Sequence, residues 1–161
     1  MTVKEYNKAV DDFSDAVWRF IRGNLRDDDR ANDIVQDSFE KLWRHVTEID
    51  FRMAKPWLFS TAYNNMIDII RREKRMVFSE DTDNESMIYD QASPDLNEIL
   101  HKAIGRLPEI QRSSVLLRDY EGYSYREIAD ITGQTEAQVK INIYRGRLAL
   151  KSYIGKIESV I

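Results

Sequence analysis

The sequence predicts an all-α protein with two small helical domains, an acidic linker between them, and a helix-turn-helix in the second domain. Apolar residues recur at helical spacing along most of the chain, and no stretch shows the sustained period-two alternation of a strand. Only three of the 161 residues are proline, so few positions interrupt a helix. Residues 77–94 break the helical pattern and separate the two domains.

Three apolar stripes predict three helices in the first domain, residues 1–76. The stripes are Tyr6, Val10, Phe13, Val17 and Phe20–Ile21; Ile34, Val35, Ser38–Phe39, Leu42–Trp43 and Val46; and Trp57, Leu58, Thr61–Ala62, Asn65 and Ile69. Because each stripe covers one side of its helix, we expect the three helices to face a common core.

The linker, residues 77–94, is rich in Asp, Glu, Ser and Asn and contains no Lys or Arg. Such a segment cannot bury enough apolar surface to offset the entropy lost on ordering. It is also longer than the usual connection within a compact domain. Much of the formal net charge of −4 therefore lies between the domains rather than on them.

The second domain, residues 95–161, begins with two helical patterns, of which the second starts at Pro108 and ends at Gly122. Two further helices are predicted, at about residues 125–131 and 135–153.

The last two helices are predicted to form a helix-turn-helix, because Ala129, Gly133 and Val139 have its spacing. Ala129 must be small where the next helix crosses, and Gly133 can leave the first helix with a positive φ without a Cβ clash. Thr135 is placed to cap the second helix, which Val139 and Ile143 would fix to the core. The spacing alone also fits an αα-hairpin in a structural bundle.

The charge of the second helix favours DNA binding over that alternative. Between Ala137 and Lys156 the helix holds bases and no acid, whereas a solvated face usually mixes both signs. Side chains on its outer face would meet phosphates and base edges in a DNA groove. They are Gln138, Lys140, Ile141, Tyr144 and Arg145.

The composition also restricts the location of the protein. It has no cysteine, which excludes disulfides and thiolate metal sites. The longest apolar runs, such as residues 57–59, are too short to cross a membrane, and acids occupy positions where a signal peptide needs an apolar core. These features predict a cytoplasmic protein.

The stretch GYSYREIADITGQTEAQVKINIYRGRLAL, residues 122–150, resembles the C-terminal DNA-binding domain of extracytoplasmic-function sigma factors, which are sigma-70 family subunits of bacterial RNA polymerase. The matching residues are Gly122, Ser124, Glu127, Ile128, Ala129, Val139, Lys140, Arg145 and Arg147. This resemblance implies that the second helix reads the minus-thirty-five promoter element. Its DNA-contacting residues would be Thr135, Gln138, Lys140, Ile141, Tyr144, Arg145 and Arg147.

Residues 27–45, DDDRANDIVQDSFEKLWRH, resemble the segment with which the same family docks on the clamp coiled coil of RNA polymerase. The match includes Val35 and Trp43, and Asp37 replaces the usual glutamate. The resemblance implies a set of polymerase-binding residues. They are Asp33, Gln36, Asp37, Phe39 and Glu40.

Residues 55–75, KPWLFSTAYNNMIDIIRREKR, resemble the segment that opens and reads the minus-ten element. The implied DNA-contacting residues are Asn64, Asp68, Arg71, Arg72 and Arg75. Asn64 would bind a base turned out of the stack, and the arginines would contact the backbone. Trp57 is interpreted as a core residue that shapes the site indirectly.

The chain departs from the family pattern at positions that bear on promoter sequence. Asn142 stands where many relatives carry arginine, and Ile141 where serine is common. Tyr63 and Asn65 replace residues that are usually basic and apolar. The promoter sequences of relatives therefore do not carry over.

A stand-alone helix-turn-helix regulator is the main alternative, but it leaves residues 27–45 and 55–75 unexplained. An enzyme is disfavoured, because only Glu98–His101 has the spacing of a di-iron helical bundle. Asp27–Asp29 lacks the glycine of an EF-hand calcium loop. We therefore expect no metal, cofactor or small-molecule substrate. The resemblance implies core RNA polymerase, duplex and melted promoter DNA, and an anti-sigma factor as partners.

Overall fold

The computed structural model describes residues 1–77 and 96–158, in which helices account for most of the chain and no strand forms. The predicted all-α class is confirmed. The helices are α1 Val3–Leu25, α2 Asp28–Arg44, α3 Phe51–Val77, α4 Leu96–Gly105, α5 Glu109–Val115, α6 Tyr125–Thr132 and α7 Glu136–Glu158. Among them, none combines the length and apolar character needed to span a membrane. The predicted linker lies outside the described residues, apart from Val77.

Helices α1, α2 and α3 pack around one core and form the N-terminal unit. Thr2 and Glu5 form a capping box at the start of α1, and the Asp27 side chain accepts from the Arg30 N–H at the start of α2. The residues of the predicted apolar stripes are buried or half-buried, with one exception. Trp43 differs, because 48% of it is exposed and its ring lies against Tyr6 at the surface.

Helices α4 to α7 form the C-terminal unit, in which α7 crosses α5. The crossing is close at Gly146, where an added Cβ would lie 2.7 Å from Val115 Cγ2. Helix α7 runs beyond the predicted end at residue 153, since Tyr153 and Ile154 are still half-buried against the unit.

A π-helical turn, Leu116–Tyr120, continues α5 and was not predicted. Its wider hydrogen bond runs from the Glu121 N–H to the Leu116 carbonyl, at 3.2 Å. Gly122 follows with a φ of +74°, which ends the helix at the predicted position. Because of this wider turn, Asp119 and Glu121 point in other directions than they would at the end of a regular α-helix.

The two units are in direct contact. Helix α1 packs against α4, α5 and the π-helical turn, and α3 packs against α6, the first helix of the helix-turn-helix. The stripe of α3 that contains Phe59 and Tyr63 lies on this contact. Apolar spacing and charge did not predict this contact between the units.

Candidate nucleic-acid and polymerase interfaces

The helix-turn-helix is formed by α6 and α7, with the backbone geometry that the spacing predicts. Gly133 has a φ of +74°, and its N–H donates to the Ala129 carbonyl at 2.9 Å, which ends α6. Ala129, Val139 and Ile143 are buried between the helices and the unit core. Helix α7 is therefore held with its opposite face towards solvent.

Thr135 and Gln138 together start α7. The Thr135 hydroxyl oxygen accepts from the Gln138 N–H at 3.1 Å, and the Gln138 side-chain oxygen accepts from the Thr135 N–H at 2.9 Å. This reciprocal pair is a capping box with glutamine in the place of glutamate. The donors left on the two side chains, a hydroxyl hydrogen and an NH₂ group, remain available to a ligand.

The outer face of α7 combines cations with apolar side chains. Lys140, Ile141, Tyr144 and Arg145 are all exposed, as predicted, and Leu148 extends the same face. Arg145 forms no ion pair with any residue that the structure describes. The cations of such a surface can bind DNA phosphates, and its apolar side chains can contact the methyl group of thymine.

Tyr125, the first residue of α6, orients Lys140. The Lys140 ammonium lies 5.6 Å from the centroid of the Tyr125 ring, and the Arg118 guanidinium lies 4.6 Å from the same centroid. Sequence reasoning missed both Tyr125 and Arg118. The only available signal was the aromatic residue beside a helix cap, which has no specific meaning by itself.

Arg147 is bound to an acid in the free chain. Its Nε and Nη2 atoms donate to the two carboxylate oxygens of Asp119 at 3.1 and 2.5 Å. A DNA phosphate can use Arg147 only by replacing this carboxylate. Arg147 is therefore placed beside the predicted DNA face, but it is not free in the way that Arg145 is.

Asn142 positions α7 instead of facing DNA. Its amide donates to the Gln134 oxygen at 2.6 Å, and the Gln134 amide donates to Ser114 at 3.0 Å and to Thr132 at 2.7 Å. This network ties α7 to the turn and to α5. The asparagine that departs from the family pattern thus has a structural partner within the chain.

The predicted polymerase-binding surface lies on α2. Asp33, Gln36, Asp37 and Glu40 are exposed on this helix. Phe39 is only 7% exposed, and its carbonyl accepts from the Tyr6 hydroxyl at 3.0 Å. A groove of about 560 Å³ runs beside Gln36 between α1 and α2, and its walls combine apolar side chains with polar ones such as Asp15 and Asn32. Phe39 contributes to those walls, so its role there is packing and shape.

The predicted minus-ten residues lie along one side of α3. Asn64, Asp68, Arg71, Arg72 and Arg75 are exposed, and no ion pair joins these arginines to another described residue. Trp57, which was interpreted as a core residue, is only half-buried, and its ring lies near the His45 ring.

Comparisons with known proteins agree with this layout. The family model described as Sigma-70 region 2 matches residues 9–76, and the model described as Sigma-70, region 4 matches residues 97–150. The chain is 30% identical to the ECF RNA polymerase sigma factor SigM of Bacillus subtilis, over 94% of each chain. It is also 30% identical to the RNA polymerase sigma factor YlaC of the same organism, over 78% of each chain.

Two solved structures share the fold over almost the whole chain. One is the sigma factor RpoE in complex with the anti-sigma factor NepR from Bartonella quintana, with a TM-score of 0.79, 24% identity, and coverage of 95% of this chain and 98% of that chain. The other is CnrH in complex with the cytosolic domain of CnrY, with a TM-score of 0.69, 21% identity, and coverage of 94% and 88%.

The helix-turn-helix and the two matched regions, in this order, define a sigma-70 type initiation factor. The chain belongs to the family of extracytoplasmic-function RNA polymerase sigma factors. Its function is to direct transcription initiation.

Proposed function

We propose that this sigma factor binds core RNA polymerase through the α2 surface, opens the minus-ten element with α3 and reads the minus-thirty-five element with α7. The observation that carries the proposal is the outer face of α7. From Ala137 to Lys156 the helix has no acid, its outer face projects Lys140 and Arg145 into solvent, and it is fixed from behind by buried residues. Such a rigid cationic face suits major-groove binding.

Within this face, the side chains differ in what they can recognise. Lys140, which lies beside the Tyr125 ring, is a donor suited to a guanine edge, and Ile141 is suited to a thymine methyl. Arg145 and Arg147 lie further along α7, where phosphate contacts are favoured. The helix therefore has separate parts for sequence reading and for attachment to the backbone.

Opening of the minus-ten element requires partners for bases that leave the stack. Asn64 offers an amide, which can pair with a base edge, and the arginines that follow it on α3 can hold the strand. Capture of a flipped base lowers the cost of separating the strands. The proposal gives the chain no catalytic step of its own.

RpoE and CnrH were each solved with a partner protein, and we propose that an anti-sigma factor also binds this chain. We further propose that the chain acts in the cytoplasm, because polymerase and chromosomal DNA are located there. Pull-down of the full chain with a candidate partner, with and without core polymerase, would show whether the two compete.

Run-off transcription with purified core polymerase tests the main proposal. The wild-type chain should produce a specific transcript from a matched promoter, and core polymerase alone should not. Asn64→Ala should reduce permanganate reactivity of the minus-ten bases more than it reduces closed-complex binding. If the wild-type chain supports no specific transcript from any promoter library, the proposed assignment of surfaces fails.

A further inference from the structure

A cavity of about 520 Å³ lies where α1 meets α4 and the π-helical turn. Its lining includes Phe20 and Leu116, which are almost fully buried, and the aromatic rings of Trp18 and Tyr120. Sites for small organic ligands have volumes in this range and are likewise lined mainly by apolar and aromatic side chains. None of the lining residues belongs to the predicted DNA-binding or polymerase-binding sets, so the proposed function leaves this cavity unexplained.

Three arginines line the cavity, and two of them are paired with acids. Arg19 donates from Nε and Nη2 to both carboxylate oxygens of Glu121, at 2.8 and 2.9 Å. Arg22 donates from Nε to Asp28 in the same way. Arg26 forms no ion pair with any residue that the structure describes. With three guanidinium groups against two carboxylates, the lining has an excess positive charge.

The backbone of Arg26 has a conformation that favours glycine. Its φ of +55° and ψ of +35° are left-handed, and no other non-glycine residue in the described ranges has a positive φ. A side chain at this position costs energy, because its Cβ crowds the backbone. The Arg26 side chain lies at the end of α4, with Cδ 3.4 Å from the position of a Cβ added to Gly105. Strained residues of this kind are characteristic of functional sites.

His101 adds a second polar group to the aromatic part of the lining. Its ring centroid lies 6.5 Å from that of Tyr120, and the two planes differ by 33°. An imidazole can donate a hydrogen bond to an anion, and it carries a positive charge once it is protonated. A ligand that uses the whole cavity therefore combines a flat ring with an anionic group.

We propose that this cavity binds a mononucleotide, with its base against Trp18 and Tyr120 and its phosphate at Arg26 and His101. A guanidinium group can bind phosphate with two parallel hydrogen bonds, and bases of any sequence stack on aromatic side chains. The nucleotide would contact both units, because His101 and Tyr120 belong to the C-terminal unit and the other two residues to α1 and its cap. Since it binds the folded chain, it should raise the melting temperature.

Heteronuclear NMR on the full chain tests this site, with adenosine monophosphate and guanosine monophosphate as the probes. The chain has three tryptophans, of which Trp18 alone lines the cavity. The indole N–H signal of Trp18, assigned with Trp18→Phe, should shift and saturate below about 1 mM nucleotide. The indole signals of Trp43 and Trp57 should change little.

Variants test the groups that would hold the nucleotide. Arg26→Gly removes the cation, and glycine adopts the left-handed backbone freely, so the melting temperature of the free chain should not fall. Its affinity for both probes should fall on the order of tenfold. Tyr120→Ala should also weaken binding, because it removes a ring. Lys102→Ala removes a cation from an exposed part of α4 outside the cavity, and as the matched control it should bind like the wild type.

The two halves of the ligand test its chemical class. Adenosine and guanosine lack the phosphate, and inorganic phosphate lacks the base, so each should bind on the order of tenfold more weakly than the nucleotides, or weaker still. A nucleoside that bound as tightly as its nucleotide would contradict the role of Arg26. Inorganic phosphate that bound as tightly would contradict the role of the rings. Either result overturns the mononucleotide as the ligand.

The α3 surface is the other place where a single nucleotide can bind. Asn64→Ala removes the amide that would hold an unstacked base there, so it should leave the Trp18 shift unchanged. Loss of the shift in Asn64→Ala, absence of a saturable shift with both nucleotides, or unchanged affinity in Arg26→Gly would each overturn the proposal. Run-off transcription is a separate measurement, because a chain that transcribes but binds no nucleotide contradicts only the assignment of the cavity.

Discussion

Lys140 and Arg147 lie on the same helix but differ in what they touch. Lys140 is placed over the Tyr125 ring on the exposed face, whereas Arg147 is paired with Asp119. Lys140→Ala in holoenzyme should cost about 1–3 kcal/mol of binding to a matched promoter and relax its sequence preference. Arg147→Ala should weaken matched and scrambled DNA alike and reduce the salt slope by about one. Equal losses of the two variants on both DNAs, measured across a salt series, would contradict the base-reading role.

Asp119 forms an ion pair with Arg147, whose guanidinium would otherwise be available to a DNA phosphate. Asp119→Asn should therefore strengthen binding to matched and scrambled DNA by a similar factor, roughly two- to fivefold, as expected for a partly exposed ion pair. The expected gain in DNA affinity comes from release of Arg147. The double variant Asp119→Asn with Arg147→Ala should therefore show no gain. Fluorescence anisotropy at low salt measures all three chains. No gain in the single variant would show that Arg147 does not contact DNA.

The α2 surface gives a prediction about polymerase rather than DNA. Asp37→Lys should lower the affinity for core polymerase, because it reverses the charge of an exposed residue on the predicted docking surface. Asp11→Lys, the same change at an exposed position of α1, is the control. Native gel titration with core polymerase compares them, with circular dichroism to check the fold. Equal affinities would remove Asp37 from the interface.

Which residues the sequence could predict depends on where their partners lie. The cap at Thr135 is local, so its residue type and position predict it, whereas Gln138 was predicted only to face DNA and its bond to the Thr135 N–H was not predicted. The partners of Asn142 and Arg147 lie on other parts of the chain, and no local pattern indicates them. The sequence therefore predicts the helix face that meets solvent better than it predicts which side chains on that face are already paired.

At the scale of the element, α7 depends on its close crossing with α5. Gly146→Ala would place a Cβ against Val115, so it should lower the free energy of unfolding by about 1–3 kcal/mol. Val115→Ala removes the methyl group concerned and should recover part of that loss, which makes the double variant non-additive. Urea unfolding followed by circular dichroism gives the values.

Gly155→Ala is the matched control on the same helix. Nothing lies within 4 Å of a Cβ at Gly155, so this change should raise the stability by about 0.5–1 kcal/mol through the usual preference of a helix for alanine. If Gly146→Ala also stabilised the chain, this would contradict the close approach of α7 to α5 at Gly146.

Helix positions followed from apolar spacing and cap residues, and Gly133 fixed the turn between α6 and α7. The length of α7 and the π-helical turn did not follow. Tyr153, in the last part of α7, packs against the core, and its ring centroid lies 4.6 Å from the guanidinium of Arg106, a residue distant in sequence. The π-helical turn depends on the packing of Leu116 and Leu117 in the core, which no propensity describes.

At the scale of the whole molecule, the sequence predicted two helical groups but not their contact. Tyr63 was interpreted as a departure from the family that bears on promoter sequence, and Phe59 was assigned no role. The structure shows instead that both are buried, with Phe59 against Tyr123 of the C-terminal unit. Burial raises the pKa of the Tyr63 phenol, and the nearby Glu109 carboxylate adds to this rise. Contacts between distant segments depend on complementarity that a single sequence does not display.

The contact predicts how the free chain unfolds. Because the units stabilise each other, the wild-type chain should melt in one transition, whereas Arg19→Glu should separate the melting of the two units or broaden it. Differential scanning calorimetry compares the calorimetric and van't Hoff enthalpies of the two chains. Two separate transitions in the wild type would show that the units are energetically independent.

Two acids that pair with arginines elsewhere in the chain lie at the π-helical turn, Asp119 within it and Glu121 directly after it. An inserted or deleted residue at this place in evolution would rotate both carboxylates by about a third of a turn. The ion pairs of Glu121 with Arg19 and of Asp119 with Arg147 would then be lost together. A lineage can therefore adjust the two properties separately by substitution, but a change of length at Leu116–Tyr120 alters them together.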